Sequence, residues 1–432
     1  MKAFKAVLII AAFLSLNGPV YPQTKLFAIK AARLFDGSSG ALTQPGIVIV
    51  SDGKIQSVGG NIVPPGATIL DLGDATLLPG FIDAHTHLSQ EFNPNYDGAA
   101  LLSLQRNVAE TSIRATRDAR NTLMAGFTTV RDVGGRDFID VGLRNAINAG
   151  VVPGPRMLVA VHALGSTGGH CDDSAGFRFG VFNRETGPEN GVINSPDQAR
   201  YAVRFNIKYG ADVIKTCASG GVLSPTDDVD VPQLSQEELN ALVDEAHILR
   251  RKTAAHAHGA EAAKRAIRAG IDSIEHGTFL DDEALRMMHD KGTFLVPTLS
   301  VRIGLKESKF PPLVQAKVDQ VVNKQDTMVK RALALGVRIA PSTDAAVYPH
   351  GENAAEFGFM TADGMTLAQS LQAGTSVAAE LLGLSNKVGT LKAAMLADIV
   401  AVPGNPLQDI NVTRSVVFVM KDGVVYRNER AH

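Results

Sequence analysis

Pro79-Gly80-Phe81-Ile82-Asp83-Ala84-His85-Thr86-His87 runs from a turn former through an apolar strand into two histidines at i and i+2. Side chains alternate across a strand, so His85 and His87 project from one face and both can reach a single ion. In a (β/α)8 barrel the carboxyl ends of the strands form the active-site rim, and a strand ending in His-x-His fits that rim.

Outward from this strand the chain alternates. Strands are expected at Leu78–His87, Phe127–Val133, Arg156–Leu164, Asp212–Cys217, Thr253–His258, Ser273–His276, Phe294–Leu299 and Arg338–Asp344. Helical periodicity separates them at Leu101–Ala125, Pro196–Tyr209, Ser235–Arg250, Ala260–Ala269, Asp281–Asp290 and Val314–Leu335. Ser235 with Glu238 forms a capping box, and Asp281 opens its helix in the same style. This alternation predicts an α/β fold, a (β/α)8 TIM barrel over residues 79–389. A doubly wound open sheet is the weaker alternative, because no glycine-rich dinucleotide fingerprint follows the first strand. Residues 165–195 and 218–234 lack periodicity and read as binding loops over the rim.

The two ends of the chain share another grammar. Gly46–Val50 and Lys54–Val58 flank the turn signal Asp52-Gly53, and Ser415–Met420 and Val424–Arg427 flank Asp422-Gly423. Ala397–Val402 adds a further strand. Neither piece can bury a core alone, so residues 24–78 plus 390–432 are expected to join in one small β-sandwich.

Lys2 and Lys5 precede an apolar run from Ala6 to Leu16, and Gly18, Pro19 and Pro22 then break any helix. Residues 1–23 read as a signal peptide, which implies a secreted or periplasmic protein. The run is short of the about 20 apolar residues a membrane span needs. A buried amino-terminal helix is the alternative. Of the 432 residues, 45% are hydrophobic and 20% charged, enough apolar material to exclude disorder as the main state. The 42 Lys and Arg against 44 Asp and Glu leave a formal charge of −2, without the basic excess of a phosphate-neutralising nucleic-acid binder. A small-molecule substrate and a homo-oligomeric assembly are expected. Two cysteines make no disulfide framework; Cys171 and Cys217 are read as small structural residues, with a bond between them left open.

Further polar residues fall at the ends of the expected strands: Lys215 on the fourth, His256 on the fifth, His276 on the sixth and Asp344 on the eighth. Each alone has an ordinary explanation: a structural histidine, a surface cation, a turn-capping aspartate. Together with His85 and His87 they would converge in one mouth.

These stretches resemble the amidohydrolase superfamily, in particular its imidazolonepropionase-related branch of Xaa-Pro dipeptidases, carboxypeptidases and ochratoxin-hydrolysing members. The likeness is carried by residues 79–87, Gly126-Phe127-Thr128-Thr129-Val130-Arg131-Asp132, Gly168-Gly169-His170, Val213-Ile214-Lys215 with Ser219-Gly220-Gly221, Ala257-His258-Gly259, Ile274-Glu275-His276-Gly277 and Ser342-Thr343-Asp344. It implies two divalent metal ions, with zinc expected. His85 and His87 would hold one and His256 and His276 the other, with Lys215 carboxylated and bridging both. A carbamate offers two anionic oxygens where an ammonium would repel a cation. Asp344 would bind one ion, take a proton from the metal-bridging water, and pass it to the leaving amine. His170 resembles the family's substrate-contacting histidine. His162 on the third strand and Arg131 are further substrate candidates, Arg131 for a carboxylate, with Arg178 and Arg184 as alternatives. His258 would support His256. Two departures stand out. Leu234 occupies the position where proline-cleaving members carry tyrosine, and Ala394-Met395-Leu396 replaces a common Pro-Gly-Lys.

The resemblance implies an amide hydrolase that releases a C-terminal amino acid from dipeptides or N-acyl amino acids, ochratoxin A included. Two readings compete. The first is a deaminase or cyclic-amide hydrolase of the same superfamily; a deaminase would carry glutamate three residues after His256, where Gly259 stands. A non-catalytic binding protein would have lost ligands, and all six candidates remain.

Overall fold

The computed structural model describes residues 26–60, 62–182, 186–322 and 324–429. The expected signal peptide, residues 1–23, lies outside the described residues. The chain first forms β1 (Leu26–Ala31), β2 (Arg33–Phe35), β3 (Leu42–Thr43), β4 (Gly46–Ser51), β5 (Lys54–Val58), β6 (Thr68–Asp71) and β7 (Ala75–Pro79). Strands then alternate with helices: β8 (Phe81–Thr86), α1 (Tyr96–Gln105), α2 (Val108–Met124), β9 (Phe127–Asp132), α3 (Ile139–Asn148), β10 (Arg156–Val159), α4 (Pro196–Lys208), β11 (Val213–Cys217), α5 (Gln236–Ile248), β12 (Lys252–Gly259), α6 (Ala260–Ala269), β13 (Ser273–Phe279), α7 (Asp282–Lys291) and β14 (Phe294–Val296). Helices α8 (Val301–Glu307), α9 (Pro312–Val322), α10 (Gln325–Ala334), α11 (Ala355–Ala362), α12 (Leu367–Gln372) and α13 (Ala378–Leu381) follow, then β15 (Ile399–Pro403), β16 (Phe418–Lys421) and β17 (Val424–Asn428).

β8, β9 and β10 pair in parallel, as do β11 through β14. An isolated parallel bridge Leu164↔Thr216 joins the two sheets on one side, and Leu295↔Ile339 and Thr86↔Ala345 join them on the other through the segment 338–345. That segment corresponds to the expected eighth strand and departs from it. It hydrogen-bonds to both neighbours, Ala340 N to Leu295 O and Asp344 N to His85 O, without a continuous ladder. Pro341 has no N–H to donate, which interrupts the pairing. The helix expected over Leu101–Ala125 is two helices, since the Asn107 side chain accepts from Glu110 N and starts α2 afresh. Ser235 and Glu238 do form the capping box of α5. At the strand entrances Phe81, Phe127 and Phe357 pack with ring centroids 4.9 to 6.2 Å apart, an apolar plug under the polar rim.

The two chain ends meet. One sheet has the order β5-β4-β1-β6 and the other β17-β16-β15-β7-β2-β3, so carboxy-terminal β15 pairs with amino-terminal β7. A single apolar cluster draws Ile29, Val48 and Ile55 from the first sheet and Leu77, Ile399, Phe418 and Met420 from the second. Arg156 at the start of β10 reaches across to Asp398 and Asp422, tying this region to the parallel strands. Both Asp-Gly turns have left-handed central residues, Asp52 at φ 51° and Gly53 at 76°, Asp422 at 50° and Gly423 at 76°, as a type I′ hairpin requires. The turns also touch: a Cβ on Gly423 would lie 2.6 Å from Gly53 Cα. Gly423→Ala is therefore expected to destabilise the protein by more than about 1 kcal/mol, read as a lower denaturant midpoint with the same slope. An unchanged midpoint would show that the contact can relax freely.

Candidate metal centre

The carboxyl ends of the parallel strands gather histidines into two adjoining groups. Ligand-competent atoms of His85, His87 and Asp344 all lie within 4.8 Å of one another, and so do those of His256, His258 and His276. The His85 and His276 ring centroids are 5.2 Å apart, so the groups share one pocket. All but His87 and Asp344 are almost fully buried.

Hydrogen bonds at the far side of each ring set the tautomers. His85 Nδ1 donates to Glu275 Oε2 at 2.8 Å and His87 Nδ1 to the Gly134 carbonyl at 3.0 Å. His276 Nδ1 lies 2.7 Å from Thr298 Oγ1, whose own proton goes to Pro297 O, so this ring also donates through Nδ1. All three present Nε2 to the pocket, where those of His85 and His87 lie 3.5 and 3.3 Å from Asp344 Oδ1. His256 is reversed: its Nε2 donates to Gly220 O at 3.0 Å, which leaves Nδ1 bare. Outer partners that orient ligand histidines in this way are the usual companions of a bound cation. Burial pushes the imidazoles toward the neutral form, His85 to about 4, His258 to about 3, and His256 and His276 well below their ordinary value. Neutral imidazole is the form that binds metal. In Asp344 burial favours the neutral acid, but His85, His87 and Lys215 outweigh it and hold the carboxyl below its ordinary range. The donor set therefore fits divalent cations of the imidazole-preferring kind.

Backbone geometry aims these groups. His276, Thr298 and Asp344 take φ values of 68°, 52° and 54°, a left-handed conformation that disfavours residues with a Cβ and turns the backbone within β13, just past β14 and in the 338–345 segment. Lys215, buried on β11, sits where its charge acts on His85, His256, His276 and Asp344. Burial lowers its amine to about 8, against the pull of Glu275 and Asp344.

His170 is brought to the centre from the long loop, its ring centroid 4.2 Å from that of His256. A disulfide between Cys171 and Cys217 staples this loop to the end of β11. Two expected substrate residues are placed elsewhere. Arg131 is 2% exposed, and its guanidinium donates to Ala84 O, Ser273 Oγ and Glu275 Oε1. This burial and these partners place Arg131 behind the Glu275–His85 pair, as its support rather than at the exposed mouth where a carboxylate binder was expected. His162 packs its ring against Phe138 with a centroid distance of 5.6 Å, and burial lowers its pKa. No hydrogen bond or ring contact among the described residues joins it to the clusters. Arg178 is exposed, and Arg184 lies outside the described residues. Glu275, Thr298 and Thr278, which bonds His258 Nδ1 at 2.8 Å, were not singled out from the sequence. Glu275 carried a signal, a carboxylate inside an apolar strand beside a histidine; the threonines carried none.

Imidazoles, an acid and a lysine converging at the ends of parallel strands define a class of hydrolytic centre, and comparison with known proteins agrees. The family model described as Amidohydrolase family matches residues 76–426. Ochratoxinase of Aspergillus niger is 32% identical over 428 residues, covering 94% of this chain and 87% of the relative. A crystal structure of a Xaa-Pro dipeptidase with bound methionine superposes with a TM-score of 0.88 at 37% identity, covering 93% of this chain and 100% of that one. Imidazolonepropionase of Paracoccus denitrificans is 25% identical over 314 residues, 64% of this chain and 72% of the relative. The chain belongs to the amidohydrolase family and is a hydrolase acting on carbon–nitrogen bonds. No helix among the described residues is long and apolar enough to cross a membrane.

Arg131→Met leaves the Glu275 carboxylate buried without its cation, and a loss of about 3–5 kcal/mol is expected. Chemical denaturation checks this. Unchanged stability with a raised KM would return Arg131 to the substrate.

Proposed function

We propose that this chain is a binuclear-metal amide hydrolase that releases a C-terminal amino acid from dipeptides or N-acyl amino acids, ochratoxin A among them. Its parallel strands close into a (β/α)8 barrel over residues 79–389, and residues 24–78 and 390–432 form a β-sandwich beside it. The chain is exported, with residues 1–23 as its signal peptide. One observation carries the reading: two adjoining histidine groups, with Lys215 and Asp344 among them, whose bare ring nitrogens are fixed by partners behind them. Similarity to ochratoxinase and to a Xaa-Pro dipeptidase supports the substrate class.

When bound, two zinc ions would supply an acidified water and polarise the amide carbonyl. His85 and His87 would hold one, His256 and His276 the other, with His258 beside them. Lys215 would serve both as a carbamate, its neutral Nζ adding to carbon dioxide with loss of one proton to solvent. Asp344 takes a proton from the attacking water and delivers it to the departing amine, so the amino acid leaves neutral at nitrogen. His170 contacts the scissile carbonyl. Leu234 is 2% exposed and packed in the main core, so it offers nothing in place of a proline-directed hydroxyl. The space at Gly259 weighs against deamination, because a Cβ there would lie 1.9 Å from Asp230 O, leaving no room for a glutamate.

A dipeptide library supplemented with ochratoxin A, read out as free amino acid, tests the reading. Release from no member refutes it, as would ammonia from a cyclic amine without a new carboxylate. Asp344→Asn is expected to keep its melting temperature and lose on the order of a thousandfold in turnover, the range of a general acid–base group; a near-normal rate removes Asp344 from that role. Lys215→Ala is expected to purify with well under the about two ions per chain a binuclear site holds, and to regain activity with added short carboxylic acids. Full metal content in that variant argues against a bridging carbamate.

A further inference from the structure

Lys317 on α9 is 8% exposed and reaches into the loop between β11 and α5 rather than into solvent. Its Nζ donates to the carbonyls of Gly221, Ser224 and Asp227 and to Asp227 Oδ1 at 3.1 Å. One ammonium thus gathers the turn 221–227 around itself, as a bound cation would. A buried lysine is costly unless its protons are matched, and this one is matched by three carbonyls and a carboxylate.

Asp227 extends the arrangement toward the metal centre. Its Oδ1 accepts from Ser224 Oγ at 2.6 Å and its Oδ2 from Gln233 Nε2 at 2.7 Å. Those same two side chains hold His170. Gln233 Oε1 accepts the His170 backbone N–H at 2.9 Å, and Ser224 Oγ lies 3.1 Å from His170 Nδ1. Ser224 has one proton, and its shortest contact sends it to Asp227, so the ring donates from Nδ1 to Ser224 and keeps Nε2 bare. The same loop also delivers Gly220 O to His256 Nε2.

We infer that Lys317 and Asp227 are positioning residues: their buried ion pair fixes Ser224 and Gln233, and through these the place and tautomer of His170 over His256. Among the described residues no hydrogen bond joins either of them to the histidine groups. The inference deepens the amide-hydrolase reading above and rests on it only for the activity assay.

A double-mutant cycle on the full-length enzyme tests this. Lys317→Met is expected to lower kcat/KM by about 10–100-fold, the effect of losing an outer partner of a functional histidine. In the His170→Ala background the same change is expected to cost less than about twofold, because sites that act as one unit are not additive. Equal costs in both backgrounds would make Lys317 merely structural and overturn the inference. Ser224→Ala, a small change that keeps the ion pair, is expected to reproduce the loss in kcat/KM at unchanged melting temperature; a wild-type kcat/KM in this variant also overturns it. Hydrogen exchange needs no substrate. Lys317→Met is expected to speed exchange in residues 218–234 and at His170, and unchanged protection at both contradicts the inference. A wild-type enzyme that cleaves no amide refutes the amide reading alone, and the exchange comparison then decides this one.

Discussion

Buried imidazoles crowded ring against ring, with centroids 4.2 to 5.2 Å apart, are held toward the uncharged form by burial, and only His87, beside Asp344, is pushed the other way. Two protonated rings at that spacing in a buried pocket would repel strongly. Neutrality in turn gives each ring one donor and one acceptor nitrogen, and what lies behind the ring decides which is which. Glu275, Gly134 O and Thr298 take the proton on one side, and the lone pairs are left to converge on the other. The rest of the architecture follows from holding those rings still. Parallel strands deliver them to one rim, left-handed residues turn the backbone at His276 and Asp344, and Arg131 compensates the carboxylate that orients His85.

Much of this was legible in the sequence, and the reasons differ by element. His-x-His at 85 and 87 declares itself because a strand sends i and i+2 to one face. The same spacing recurs at 256 and 258, where His258 joins its neighbours as a third ring rather than only a prop. The Asp-Gly turns at both ends were plain from their chemistry, and their mutual contact follows from β15 pairing with β7. The eighth strand read as regular because Arg338–Asp344 falls at the next step of the alternation, while Pro341 breaks the ladder through a missing donor. α1 and α2 read as one helix because periodicity carries across Asn107, whose cap is a local backbone event. Arg131 looked like a substrate arginine because sequence shows a charge beside a rim and not the depth at which it lies.

The less legible part is the cover over the rim. Residues 165–195 and 218–234 have no periodicity, so their order comes from long-range links. A disulfide to β11 and the Asp227 carboxylate supply these links, with Lys317 arriving from about 90 residues further along the chain. Loops held by a few buried polar contacts can place a side chain accurately while remaining the part of the fold most sensitive to single changes. The ends of the parallel strands position the histidine groups, and these loops bring His170 to them.

Anomalous diffraction at the zinc edge, from crystals grown with zinc, bears most directly on the central claim. The account requires two strong peaks in one pocket, the first reached by Nε2 of His85 and His87 with Asp344, the second by Nδ1 of His256 and Nε2 of His276. An empty pocket at full zinc concentration, or zinc bound only at the protein surface, would contradict it.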